Sequence, residues 1–165
     1  MNVSPLPQIQ FFRSLFKGRE DVFAVRWEKP ARSAGGGNKS GYMPAYFYDP
    51  YRLRAHKMNG GTFQNFTEKS YLKYTDEQIQ KHLEGFHHIG IYPLLQDNTT
   101  WFLVADFDKD NWQKEAVTFL NACKEKEIPA YLERSRSGNG GHVWIFFDKP
   151  YPAIRSRKIF ISILE

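Results

Sequence analysis

Apolar residues recur at two different spacings along this chain, and the changes between them mark out most of its elements. Phe11, Phe12, Leu15 and Phe16 fall on one side of a helix from about Gln8 to Lys17, with Gly18 as its stop. Asp21–Glu28 (DVFAVRWE) alternates as a strand, with Val22, Ala24 and Arg26 opposite Phe23, Val25 and Trp27. Ser33–Ser40 (SAGGGNKS) has the composition of a flexible loop. From Gly41 to Phe66 the chain is rich in Tyr and basic residues but shows no period. Thr75 with Gln78 reads as a capping box, in which hydroxyl and side-chain amide satisfy free backbone donors reciprocally. The helix it opens carries Ile79, His82 and Leu83 and ends at Gly85.

In the second half, Ile89–Leu95 and Thr100–Phe107 read as strands. The turn Asp97-Asn98 predicts an antiparallel hairpin between them, with Pro93 placing the first strand near an edge or bulge. A helix from about Asn111 to Lys126 puts Trp112, Ala116, Phe119, Leu120 and Cys123 on one face. Ala130–Arg134 and His142–Asp148 are two further strands around the Gly-rich turn Ser135–Gly141. A last helix follows Tyr151, basic at Arg155, Arg157 and Lys158 and then apolar. The order β-β-α-β-β suits an α+β fold with helices packed on a mainly antiparallel sheet.

The 165 residues suffice for one ordinary core, and 41% hydrophobic with 25% charged residues is a globular composition. A net charge of +5 favours a polyanionic partner, and 16% aromatic residues supply flat faces for bases as well as core. No apolar run is long enough for a membrane span, and the N-terminus lacks the charged-then-apolar order of a signal peptide. Cys123 is the only cysteine, which excludes intramolecular disulfides and Cys-rich zinc sites and suggests a reducing, cytoplasmic location.

Chemistry concentrates in two stretches. In FLVADFD (Phe102–Asp108), alternation puts Asp106 and Asp108 on one face and Phe107 on the other. Carboxylates about 6–7 Å apart along a strand can converge on hard cations such as Mg²⁺ or Mn²⁺. Asp-x-Asp alone is equally satisfied by turn or cap residues at a strand end, and Asp110 or Asn111 can cap the next helix. The long apolar approach through Phe102, Leu103, Val104 and Ala105 favours a site. The second stretch is ERSRSGNGGHVWIFF (Glu133–Phe147). Here Gly138, Gly140 and Gly141 allow backbone amides near an anion, Arg134 and Arg136 are phosphate donors, Ser135 and Ser137 add hydroxyls, and His142 opens the next strand. Any one of these also suits a solvated hairpin; the set together suits a triphosphate. His87 and His88 are adjacent and diverge, so they are assigned to strand entry or the surface. His82 and Cys123 sit on apolar helix faces and are assigned to the core, and His56 lies in the unassigned segment.

These motifs resemble the archaeo-eukaryotic primase superfamily, and within it the primase domain of TOTE conflict systems. The resemblance rests on Asp106-Phe107-Asp108, the following helix and the Gly140-Gly141-His142 step. LFKGREDVFAVRWE (Leu15–Glu28), GYMPA (Gly41–Ala45) and HLEGFHHIGIYPLL (His82–Leu95) support it. It implies an RRM-like catalytic sheet with packed helices over residues 71–165, beside a small N-terminal α/β part over residues 1–70. It implies that Asp106 and Asp108 bind Mg²⁺ or Mn²⁺, and that His142, with Ser137 and the glycines, holds the phosphates of a nucleoside triphosphate. Arg134 and Arg136 are expected to assist there. DNA template and primer are the implied partners, with a helicase in the same polypeptide or operon. Relatives often carry a cysteine cluster after the GY-x-P-A segment, whereas Tyr46–Phe66 has none, so no zinc subsite is expected there. The superfamily's third carboxylate, from a later strand of the same sheet, has no counterpart after His142, and the chain is expected to be a truncated domain with weak activity alone. Two other classes fit parts of the pattern: a non-catalytic, RRM-like single-stranded nucleic-acid-binding module, and a metal-dependent nuclease using the same aspartates.

Overall fold

The computed structural model describes residues 5–30 and 39–164. The chain is a mixed α/β protein whose sheets are all antiparallel, with five helices among the described residues. It divides into two compact units: the chain up to Arg13 with Arg19–Tyr92, and Ser14–Gly18 with Pro93 onward. The expected division at residue 70 therefore differs from the observed one, because residues 71–92 pack within the first unit. No helix among the described residues is long and apolar enough to cross a membrane.

In the first unit, β1 (Ala24–Lys29) lies between β2 (Lys39–Pro44) and β5 (Ile89–Gly90). It pairs with β2 from Ala24↔Pro44 to Lys29↔Lys39. Residues 33–38 of the expected loop lie outside the described residues, while Lys39 and Ser40 belong to β2. The expected hairpin between Ile89–Leu95 and Thr100–Phe107 does not form. Only Ile89 and Gly90 remain extended in a ladder, and their partners are Val25 and Ala24. Pro93, which has no amide proton to give a ladder, ends the first run early. The turn at Asp97-Asn98 nevertheless exists, with Asn98 at φ 61° and a Leu95 amide bond to the Thr99 carbonyl. Hydrogen bonds from the Thr99 hydroxyl and amide hold Asp97 below the usual carboxylate range.

Ile9, Phe23, Ala45, Tyr74 and Ile79 form this unit's core. The Tyr74 hydroxyl is buried without a hydrogen-bond partner among the described residues, and burial pushes its pKa up to about 12. Helix α1 (Pro5–Leu15) starts earlier than expected, at a proline, whose missing amide proton has no partner to lose in a first helical turn. Helix α3 (Asp76–Leu83) has Thr75 at its N-cap, but the hydroxyl makes no capping bond; the Gln78 and Ile79 amides go to the Thr75 carbonyl instead. Gly85 takes φ +80° just past its end, which explains the stop there.

The aperiodic stretch resolves into β2, β3 (Tyr46–Tyr48) and α2 (Pro50–Met58), with β3 pairing β4 (Lys69–Tyr71). The start of α2 is legible as Asp49-Pro50: the Asp49 carboxylate accepts from the Tyr51 and Arg52 amides at 2.8 and 3.3 Å, and Pro50 takes the first helical position. The following loop is organised around an ammonium group. Lys69 Nζ donates to the carbonyls of Phe63 (3.0 Å), Gln64 (3.2 Å) and Phe66, and lies 5.3 Å from the centre of the Phe63 ring. A hydrogen bond involving a charged group contributes about 1.5–3 kcal/mol. Lys69→Met, which keeps the stem and removes the charge, is expected to destabilise this loop, read as faster amide hydrogen exchange over residues 62–71 with little change in α3.

The second unit is the sheet β6 (Thr99–Asp108), β8 (Gly140–Pro152) and β7 (Tyr131–Arg134), in the order β6-β8-β7, with helices α4 (Trp112–Glu125) and α5 (Ala153–Leu164). Ala105, Phe107, Val143 and Ile145 of the sheet are buried with Trp112, Ala116, Phe119 and Cys123 of α4 and Ile163 of α5. Burial raises the Cys123 thiol above its ordinary value, consistent with a core residue. The other face of the sheet carries no helix from this core. It is covered at one end by Phe16, whose ring meets Phe102, Trp144 and Phe146 edge-on at 6.1, 5.1 and 5.7 Å, while Lys17 lies 3.8 Å over the Trp101 ring.

Candidate functional site

The alternation of β6 decides where its carboxylates go. Phe107 is buried on the helix side, and Asp106 and Asp108 stand exposed on the other face, beyond the stretch that Phe16 covers. They are strand residues, so the turn or cap alternative does not describe them. An open cleft of about 520 Å³ begins there, lined by Asp106, Asp108, Lys109, Asp110, Asn111 and Glu115. Lys109 takes φ 77°, a conformation that costs a non-glycine residue about 1–2 kcal/mol. That turn carries the chain from the end of β6 into α4, whose N-cap is Asn111, with no side-chain capping bond.

Register brings the second stretch to the same place. His142 pairs directly with Asp106 across β6–β8 and with Glu133 across β8–β7. Its Nε2 stands 3.6 Å from Asp106 Oδ1, and its Nδ1 stands 3.4 Å from Glu133 Oε2. The Nδ1 atom is buried, and no group among the described residues meets it with hydrogen-bond geometry. Glu133 Oε2 also accepts the Trp144 indole N–H at 2.7 Å. Asp106, His142 and Glu133 thus form one row across three strands. Glu133 was not singled out from the sequence, although counting alternation through the hairpin from His142 to its partner would have found it.

The Gly-rich turn is built differently from the expected phosphate cradle. Arg134 pairs with Gly141 on the helix side of the sheet, not the side of His142, and its Nε and Nη2 donate to the Gly138 carbonyl at 3.2 and 3.1 Å. Gly138 has φ +78°, which a side chain would strain. The Ser135, Gly138 and Asn139 amides are engaged within the turn, by the Gly140 carbonyl, the Ser135 carbonyl and the Ser137 hydroxyl. Ser135 and Ser137 hydroxyls lie 3.1 Å apart. Arg136 is exposed. Gly140 and Gly141 matter for their missing side chains. A Cβ at Gly140 would lie 2.8 Å from both Asp108 Oδ1 and the Phe107 carbonyl, and one at Gly141 would lie 2.6 Å from Trp112 Cζ3. These two glycines let β8 approach the acidic strand end and α4.

Among the described residues, no three His, Cys, Asp or Glu side chains converge as a closed metal cage. Two oxygen-donor carboxylates beside an open cleft do suit Mg²⁺ or Mn²⁺, which keep several waters and take further oxygens from substrate phosphates. A paired carboxylate at a sheet end, next to a histidine and an open cleft, is the class of arrangement used in metal-dependent phosphoryl and nucleotidyl transfer. The chain belongs to the family described as TOTE conflict system, Archaeo-Eukaryotic Primase domain, whose model matches residues 7–165. That family is one of primase-type nucleotidyltransferases, which in general use divalent metals and act on nucleic acid and nucleoside triphosphates. A comparison with curated proteins gave no match.

Proposed function

We propose that this chain is the catalytic domain of a primase-polymerase, adding nucleotides to a 3′-hydroxyl on a DNA template. The observation that carries the reading is the row on one sheet face: Asp106 directly opposite His142, with Asp108 two residues on at the mouth of the cleft. Asp106 and Asp108 would hold Mg²⁺ or Mn²⁺. Bound there, these ions would supply charge neutralisation of the triphosphate and activation of the attacking hydroxyl. His142, held between Asp106 and Glu133, would orient the phosphates through Nε2. Ser137, Arg136 and the exposed rim of the turn would add donors around it. Arg134, by contrast, would act on the turn itself by fixing the Gly138 carbonyl. Positioning and charge neutralisation supply most of what such transfers require.

The order β6-β8-β7, with α4 and α5 against one face, supports an RRM-like unit. One edge of β6 is unpaired with any strand among the described residues. A third carboxylate, if carried on a further strand of this sheet beside Asp106, would enter at that edge. We further infer a helicase in the same polypeptide or operon as the partner of this domain.

Three assays on the full-length protein, with Mn²⁺ or Mg²⁺, separate this reading from its rivals. Lengthening of a labelled primer on a template, dependent on nucleoside triphosphates, is the expected result. Shortening of the primer would favour a nuclease instead. Retarded migration with neither reaction would favour a binding module and overturn the polymerase reading.

A further inference from the structure

The first unit exposes a surface for which its fold has no use. Helix α2 buries a single side chain, Leu53. Tyr51 (84% exposed) and Met58 (79% exposed) stand on the face opposite Leu53, and Arg54 is exposed on its flank. Phe47, two residues before the cap, is 69% exposed. Large apolar side chains this exposed, within one short stretch of chain, point to a surface that is covered when a partner binds.

The charges say what kind of partner. Between residues 46 and 73 the only carboxylates are Asp49 and Glu68. Arg52 pairs with both, and Asp49 also caps the helix. Lys69 is enclosed by its three carbonyls. Arg54 and Lys57, neighbours at i and i+3 on α2, have no carboxylate partner among the described residues, and neither does Lys73. An apolar partner protein would leave these cations without a counter-charge. A folded duplex would leave the rings without exposed base faces. A single strand of nucleic acid meets both needs at once, with phosphates for the cations and unstacked bases for the rings.

We propose that α2 and the end of β3 form a binding surface for single-stranded polynucleotide, in which Arg54 and Lys57 take backbone phosphates and Tyr51, with Phe47, stacks bases. This deepens the polymerase reading by giving the strand a surface, and rests on that reading only for what the strand does afterwards.

The test is fluorescence anisotropy of labelled dT20 and rU20 with this chain in EDTA, without nucleotide, across a salt series. Binding then does not depend on the carboxylate site, so failure of the polymerase chemistry and failure of this surface are seen separately. Arg54→Glu with Lys57→Glu is expected to weaken binding about tenfold or more and to flatten the salt dependence by roughly 1.4 in log–log slope, the value for two phosphate contacts on a single strand. Tyr51→Ala is expected to weaken binding about fivefold or more with the slope unchanged, because stacking releases no counterions. Lys124→Glu with Lys126→Glu, the same charge change at exposed positions in the last turn and at the C-cap of α4, is the control and is expected to bind like the parent. Each variant is checked by urea denaturation; if the α2 charge reversals unfold, Arg54→Gln with Lys57→Gln serves in their place. Equal affinity for dT20 and rU20 would mean recognition of strand and charge alone, and preference for one would name the natural strand. No binding by the parent chain, or equal weakening by the α2 and α4 reversals, overturns the proposal.

Discussion

Replacing Asp106 and Asp108 together by alanine in the full-length enzyme is expected to abolish primer extension, a fall of at least about 10³-fold, while the fold stays intact. The loss belongs to chemistry: without the carboxylates, several kcal/mol of charge stabilisation disappears, and each 1.36 kcal/mol is about tenfold in rate. The retained fold belongs to packing. The Asp106 side chain is 63% exposed, with the His142 ring nitrogen Nε2 3.6 Å away, and Asp108 is also exposed. Exposed substitutions of this sort change stability by about 0.5 kcal/mol or less, and removing two like charges from one strand face acts in the stabilising direction. Extension rates and urea midpoints measured on the same preparations check both halves. Undiminished extension by the double variant removes the mechanism. Loss of extension together with a large drop in the urea midpoint would instead assign the aspartates a structural role.

The parts of this site that were legible in the sequence are those fixed by local geometry. Alternation along FLVADFD placed Asp106 and Asp108 opposite Phe107 because a strand's side-chain period is two wherever the strand pairs. The α4 face through Trp112, Ala116, Phe119 and Cys123 was legible for the corresponding helical reason, and all four are buried. What could not be read was pairing. Ile89–Leu95 has the composition of a strand next to Thr100–Phe107, yet Ile89 and Gly90 pair with β1, far back in the chain. Nothing in the local pattern encodes that partner. The place of Glu133 opposite His142 is a different case, since it follows from the β7–β8 register and counting through the short hairpin reaches it. Helix α2 escaped because its single buried residue leaves no apolar period to detect; only Asp49-Pro50 marked its start. The arginines show the limit of composition as a guide. Arg134 has the chemistry of a phosphate donor, but alternation turns it to the face away from His142, where its fork closes on the Gly138 carbonyl.

Gly141→Ala is expected to destabilise the second unit by about 0.5–2 kcal/mol net, and Gly141→Val by more. Two effects of opposite sign compete at this position. A glycine inside a strand is intrinsically worse than alanine by about 0.5–1 kcal/mol, so propensity alone predicts that either substitution stabilises. Space decides otherwise. The added Cβ would sit 2.6 and 2.9 Å from the Trp112 ring and 3.1 Å from the Glu133 carbonyl. Trp112 is the first residue of α4, is only 9% exposed, and packs in the core with Ala105, Phe107 and Val143. The ring cannot swing aside without leaving that core, and overpacking of this kind costs about 1–3 kcal/mol, which exceeds the propensity gain. Because Asn111, on the rim of the acidic cleft, immediately precedes Trp112, a displaced ring also shifts the cleft wall, and activity is expected to fall further than stability alone explains. Urea midpoints with tryptophan emission as the probe measure the first effect, and primer extension at temperatures where the variant is fully folded measures the second. A midpoint equal to or above that of the parent would show that β8 does not rest against Trp112, and that Gly141 has some use other than close approach.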